Sequence, residues 1–285
     1  MVKISSRRPV LSLLLAGAAV AGTLALVDTS AALKQPSSGN TTSSAPARCN
    51  IPLDPEADVP PLYLAPLAEL LPEQSQGLER AYFSMGCFWG SEAMLAAAPG
   101  VEYTQVGFTG GRLPNPSYSA IGDHVETVEV LYDPKQISYE RLLDYFWSHH
   151  NAHAQPIFRQ YASAIFTVDD SQRATAVAVR KRRQSSGTDQ EPLLTAVLPL
   201  ERFYPAEAAH QKYYLSADEK LLAALPRQGE DRLRTRLASK LNAVAGRTGE
   251  REQVRTSLVA LGLAPETSEA ILLRASWNPP ETNSH

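Results

Sequence analysis

Cys87 lies in the run Gly86-Cys87-Phe88-Trp89-Gly90-Ser91-Glu92. The apolar segment Ala81–Met85 before it reads as a strand, and Trp89–Ala98 after it as a helix stopped by Pro99-Gly100. A thiol at such a corner faces a helix N-terminus, whose free N–H groups and partial positive charge favour a thiolate. Gly86 and Gly90 give backbone or substrate close access. Phe88 and Trp89 set two aromatic rings beside the sulfur, which suits a substrate carrying a small apolar group such as a methyl. The same residues also describe an inert cysteine packed among aromatics. The flanking glycines and the corner position favour the reactive alternative.

Glu126 is the second candidate. In the strand His124–Tyr132, His124, Glu126, Val128 and Val130 share one face, and Val125, Thr127, Glu129 and Leu131 the other. Neither face is cleanly polar, so one of the two carboxylates is expected to point inward. Glu126 sits nearer the loop end, on the face continued by two valines. A carboxyl there would be desolvated, its pKa raised, and able to donate a proton. An edge-strand glutamate in water is the competing reading. Tyr118 in Asn115-Pro116-Ser117-Tyr118 and Tyr161 in Gln160-Tyr161-Ala162 flank turns and strands, where structural roles are the commoner ones. His149 and His153 are four apart and could share a helical face, but no acid or cysteine stands near them, so no metal is expected. No Asp or Asn stands out as an orienting partner for any histidine, which disfavours a thiol hydrolase.

These residues need elements to hold them. Val101–Phe108 reads as a strand, Thr109–Asp123 as a turn-rich connection, and Tyr139–Trp147 as an amphipathic helix with Leu142, Leu143 and Phe146 inward. Ala162–Val168 is a strand, Ser171–Gln184 a helix, Leu193–Leu198 a strand, and Pro205–Leu215 opens a helical region. Strands alternating with helices predict a two-layer α/β or α+β domain.

The chain of 285 residues carries 27 Lys+Arg against 30 Asp+Glu and is 44% apolar, enough for a packed core. The near-neutral balance, with no basic stripe, argues against nucleic acid as a partner. Two cysteines, Cys49 and Cys87, make neither a disulfide framework nor a Cys-x-x-Cys pair. Residues 1–33 read as a targeting segment: Arg7 and Arg8, the apolar run Val10–Val27, then small residues Ser30-Ala31-Ala32. The expectation is an exported chain, or one in an organelle lumen, with a secretory or twin-arginine-type signal. A retained membrane anchor is the alternative, since the run would span about 27 Å as a helix. Residues 34–78 read as a Ser/Thr-rich linker and a Pro-rich arm, 79–215 as the domain, and 216–285 as a helical, charged extension.

The ordered series of motifs resembles the type A peptide methionine sulfoxide reductases. It runs from Gly86-Cys87-Phe88-Trp89-Gly90 through Val106-Gly107-Phe108-Thr109-Gly110-Gly111, Asn115-Pro116-Ser117-Tyr118, His124-Val125-Glu126 and Tyr132-Asp133-Pro134. It continues through Phe146-Trp147, Gln160–Ile165, and Phe203-Tyr204-Pro205-Ala206-Glu207 with His210-Gln211. Ser239-Lys240-Leu241-Asn242 is similar to a divergent, exported plant branch. The resemblance implies an α+β fold, a two-layer sandwich with ferredoxin-like elements, here with the helical C-terminal extension. It implies reduction of methionine S-sulfoxide, free or in oxidised proteins, by a monomer with no bound cofactor. Cys87 would be the nucleophile, left as a sulfenic acid, and Glu126 the proton donor. Tyr118 and Tyr161 would hydrogen-bond the oxygen, and Phe88 and Trp89 would hold the methyl. An external thiol (thioredoxin, glutaredoxin or glutathione) would restore Cys87, with Cys49 as a possible resolving cysteine.

Two departures accompany the resemblance. The family's Gly-Asn-Asp segment before the Gln-Tyr pair is missing, and no acid stands from Ser148 to Ile165. Pro156 falls near the expected position, with Gln155 beside it as a replacement. No cysteine follows Cys87, so the family's C-terminal resolving cysteine is absent from this sequence. A degenerate homologue that binds oxidised or Met-rich proteins without turnover is the alternative these departures suggest.

Overall fold

The structure is a computed structural model that describes residues 77–185, 192–223, 225 and 230–277. The targeting segment, the linker, most of the Pro-rich arm and Cys49 lie outside the described residues. Six strands form one sheet in the order β5-β4-β1-β3-β2-β6. They are β1 Glu79–Ser84, β2 Val101–Thr109, β3 Val125–Tyr132, β4 Ala164–Thr167, β5 Ala196–Pro199 and β6 Tyr204–Pro205. All neighbours are antiparallel except β4 and β5. The helices are α1 Phe88–Ala97, α2 Tyr139–Ser148, α3 Asp170–Ser185, α4 Tyr213–Ala217, α5 Glu219–Ala223, α6 Arg236–Gly246, α7 Arg251–Ala260 and α8 Pro265–Arg274.

One face of the sheet carries the main core. Ala81 and Phe83 of β1, Val106 and Phe108 of β2, and Val128 and Val130 of β3 pack against Leu95 of α1, Leu142, Leu143 and Phe146 of α2, and Val179 of α3. Burying such side chains is the main stabilising term, about 25 cal/mol per Å² of apolar surface. Every residue of β3 is buried, because β3 lies between β1 and β2 with both of its faces covered. The edge-strand reading of Glu126 is therefore corrected. Where the sequence expected one of the two carboxylates of β3 to point inward, the structure buries both, Glu126 and Glu129, on opposite faces.

Apart from the buried Glu92, helix α1 has apolar or small residues all round because it is covered on both sides, by the sheet and by α6. It stops where Ala98, ahead of Pro99, turns extended. Beyond the sheet, α6–α8 build a second cluster that includes Leu241, Val244, Val254, Leu258 and Ile271 and shares Ala96 and Ala97 with the back of α1. Two boundaries differ from the sequence expectation. The strand expected from Leu193 begins only at Ala196, where parallel pairing with β4 starts. The stretch from Pro205 opens not as a helix but as β6, two residues paired to Gly107 and Phe108, and α4 begins only at Tyr213. Backbone pairing to β2 outweighs the local helical pattern there.

Candidate active site

Cys87 is the N-terminal cap of α1 and is solvent-exposed. The chain reaches it through Gly86 at φ +97°, a left-handed conformation that favours glycine. A Cβ at Gly86 would meet open space, so conformation rather than close approach requires the glycine. The backbone N–H groups of Trp89 and Gly90 point at the sulfur and favour the thiolate. They do not prevail. Burial pushes the Cys87 thiol up, and the nearby Glu126 charge adds to the rise. The helix start is thus opposed by burial and by Glu126, and the net shift runs against the thiolate that the sequence suggested.

Glu126 lies on the helix-facing side of β3, opposite Phe108 of β2. Its Oε2 accepts from the Phe88 N–H at 2.9 Å and its Oε1 from Gln160 Nε2 at 3.1 Å. The residue is 1% exposed. Burial pushes its pKa up, and the two donors offset part of the rise. The first of those bonds ties the carboxyl to the residue immediately after Cys87. Glu129, on the opposite face, accepts from the Tyr82 hydroxyl at 2.6 Å and from Arg80 at 3.0 Å, away from Cys87.

Tyr118, in the turn-rich connection, and Tyr161, at the end of the 3-10 turn Arg159–Tyr161, are far apart in sequence yet close enough to interact. Burial, then Glu126, Tyr161 and Cys87, all push the Tyr118 phenol up, so Tyr118 lies within electrostatic reach of all three. The Tyr118 loop is held from several sides. Glu207 accepts from the Tyr118 N–H at 3.0 Å, and Asp123 accepts from the Arg112 N–H at 2.8 Å. His124 accepts from the Gly111 N–H at Nδ1 and lies 2.8 Å from the Leu113 carbonyl at Nε2, which fixes its tautomer as Nε2–H. Arg159 donates to the Asp123 carbonyl at 2.9 Å and joins this loop to the Tyr161 segment.

Aromatic rings surround the sulfur's neighbours. Phe88 is fully buried beneath the site, with Tyr118 at 6.1 Å and Phe108 at 5.8 Å between centroids. Trp89 stacks on Tyr213 at 3.8 Å, within 6° of parallel, and its Nε1–H donates to His210 Nδ1 at 3.2 Å. His210 in turn stacks on Tyr118 at 4.3 Å. Phe88, Trp89, Tyr118, Tyr161 and Glu126 are thus brought together at Cys87, as the sequence suggested. Gln160, His210 and Tyr213 join them without having been singled out as site residues. Gln160 and His210 stand inside recognised motifs, but their roles depend on contacts across 34 and 121 residues. Gln155, offered as a replacement for the missing acid, is solvent-exposed. His149 and His153 turn to separate carbonyls, those of Tyr145 and Pro192.

Comparison with known proteins adds an independent line. A family model described as peptide methionine sulfoxide reductase matches residues 79–241. A peptide methionine sulfoxide reductase of Drosophila melanogaster is 40% identical over 186 residues, 65% of this chain and 75% of that protein. Peptide methionine sulfoxide reductase A5 of Oryza sativa subsp. japonica is 39% identical over 173 residues, 59% of this chain and 68% of that protein. Among solved structures, methionine sulfoxide reductase A of Corynebacterium diphtheriae is 32% identical and covers 54% of this chain and 80% of its own, with a TM-score of 0.46.

Proposed function

The chain belongs to the peptide methionine sulfoxide reductase family, and from that premise we propose how its own residues reduce methionine sulfoxide and so repair oxidised proteins. The Cys87 sulfur attacks the sulfoxide sulfur. Glu126, protonated, delivers its proton to the sulfoxide oxygen, and the hydroxyls of Tyr118 and Tyr161 donate hydrogen bonds to that oxygen as charge develops on it. The S–O oxygen ends on Cys87 as a sulfenic acid and methionine leaves, so the cysteine is oxidised by the two electrons the sulfoxide gains. Trp89, with His210 and Tyr213 around it, holds the substrate methyl, and the buried Phe88 supports the pocket from beneath rather than lining it. The S epimer is the expected substrate.

The observation that carries this reading is the Phe88 N–H bond to Glu126. It sets a buried carboxyl, its pKa pushed up by burial, beside the nucleophile at a helix start. A chain that only binds oxidised proteins has no use for a carboxyl held in this way. An external thiol of the thioredoxin, glutaredoxin or glutathione type then attacks the sulfenic acid, forms a mixed disulfide and releases water. A second thiol restores Cys87. One chain supplies every group named, so a monomer suffices. The segment at 1–33 directs export, in this reading. The test is turnover of chiral methionine sulfoxide with dithiothreitol. We expect reduction of the S epimer by the wild type and none by Cys87→Ser. Undiminished activity in that variant removes Cys87 from the role.

A further inference from the structure

Of the four consecutive residues His210 to Tyr213, the outer two face the pocket and the inner two the core. His210 and Tyr213 meet Trp89. Gln211 turns inward and pairs with β2 like a short strand: its Oε1 accepts from the Val106 N–H at 3.0 Å and its Nε2 donates to the Val106 carbonyl at 2.9 Å. Lys212 is fully buried and sits at φ +50°, a left-handed conformation unusual for a residue with a side chain. Its backbone N–H donates to Glu92 Oε2 at 2.8 Å. Its Nζ donates to Glu92 Oε1 at 2.7 Å and to the Thr104 carbonyl at 2.5 Å. Nζ also lies 4.7 Å from the Tyr103 ring. Glu92, likewise fully buried, stands on α1 little more than a turn beyond Cys87. Helix α6 closes the cluster, where Ser239 Oγ accepts from the Thr104 N–H at 3.1 Å.

Buried ion pairs are seldom retained for stability, since apolar replacements of similar volume are often as stable. This pair has a geometric consequence instead. It holds the αL turn that brings His210 and Tyr213 back onto the ring of Trp89, and it anchors that turn to the helix that carries Cys87. We propose that Glu92 and Lys212 are positioning residues for the aromatic pocket. They act through His210 and Tyr213 and set substrate affinity, with α6 of the C-terminal extension sealing the pair from water. The inference rests on the reading of the Trp89 pocket as the seat of the sulfoxide's methyl group.

The test uses the full chain with Glu92→Gln/Lys212→Met, which removes both charges together and leaves neither buried alone. Lys212→Met alone is the harsher companion, because it strands the Glu92 charge. Three quantities are read: KM and kcat for a methionine S-sulfoxide peptide, the alkylation rate of Cys87, and the Trp89 emission. Each emission spectrum is taken as a difference from the same protein carrying Trp89→Phe. The expected result is a KM raised about tenfold with kcat within a few-fold, as loss of uniform binding predicts. Trp89 emission should change as its stack on Tyr213 loosens, and Cys87 alkylation should match the wild type. Lys240→Met on the same α6, whose side chain meets the α1 carbonyls of Ala96 and Ala98 rather than this pair, should leave KM and the emission unchanged. Unchanged KM and emission in the double variant overturn the proposal, as does an equal KM rise in Lys240→Met. If the wild type itself lacks turnover, the proposed function fails, while the emission change still decides whether the pair holds the pocket.

Discussion

At the scale of single residues, the site pairs two groups whose pKa values are both pushed up, Glu126 and Cys87. The proposed mechanism needs the pair's one proton on Glu126 rather than on Cys87, which is one of the two singly protonated forms of the pair. The population of that form rises through the lower of the two pKa values and falls through the higher. We expect a bell-shaped kcat/KM in wild type. Glu126→Gln should lose about 10²–10⁴-fold. Its remaining rate should climb with pH all the way to the Cys87 pKa, following the thiolate alone. A variant profile flat between those limits, or the larger loss in Glu129→Gln, would move the acid elsewhere. The raised pKa also bears on stability. Its contribution is present below the unfolded value and is lost as pH rises through the folded one, so Glu126→Gln should melt no lower than wild type at pH 7.

At the scale of elements, the two-residue strand β6 has an influence beyond its length. It pairs with β2 at Gly107 and Phe108, and from it the chain runs on to Glu207, which anchors Tyr118, and to His210. The pairing depends on Gly107 having no side chain. A Cβ there would run into the Tyr204 carbonyl oxygen and the Phe203 ring. Forcing a methyl into a packed contact of this kind costs about 1–3 kcal/mol. Gly107→Ala should therefore lower the melting temperature by several degrees and raise KM as well, since Tyr118 and His210 move with the strand. Thermal melts together with peptide kinetics check this; a lower melting temperature with unchanged KM would separate β6 from the pocket.

At the scale of the whole molecule, α6 joins the extension to the catalytic core through buried polar contacts. Lys240 is 3% exposed and donates to the Ala96 and Ala98 carbonyls at the end of α1. Burial, and then the Arg236 charge, push its pKa down to about 7. An unfolded lysine keeps its proton to about pH 10.4, so the unfolded chain binds the extra proton between those values. Stability is therefore gained as pH rises from about 7 toward 10 and lost as it falls back. The melting temperature should climb more steeply from pH 7 to 9.5 in wild type than in Lys240→Met; equal slopes would mean Lys240 stays charged in the fold. Recycling also belongs to this scale. After one turnover without added thiol, we expect dimedone to trap a sulfenic acid at Cys87. A Cys49–Cys87 disulfide found by mass spectrometry would instead make the N-terminal arm part of the catalytic cycle.

The sequence by itself determined the corner that exposes Cys87, the alternation that puts Glu126 on a face with Val128 and Val130, and the order of strands and helices between residues 79 and 185. Each of these depends on local geometry: a glycine at positive φ, a period of two, a capped helix. The candidate positions Cys87, Glu126, Tyr118 and Tyr161 were legible for that reason, helped by the resemblance that linked their motifs. Only the tertiary structure decided the rest. It buried both carboxylates of β3, because sheet order, not alternation, says which strand is central. It ended a short strand at Pro205 and followed it with a 3-10 turn and an αL residue that deliver His210 and Tyr213, because pairing with β2 and a buried Lys212–Glu92 contact outweigh local propensity. It also set burial and the Glu126 charge against the helix start at Cys87, since both come from residues far away in the chain.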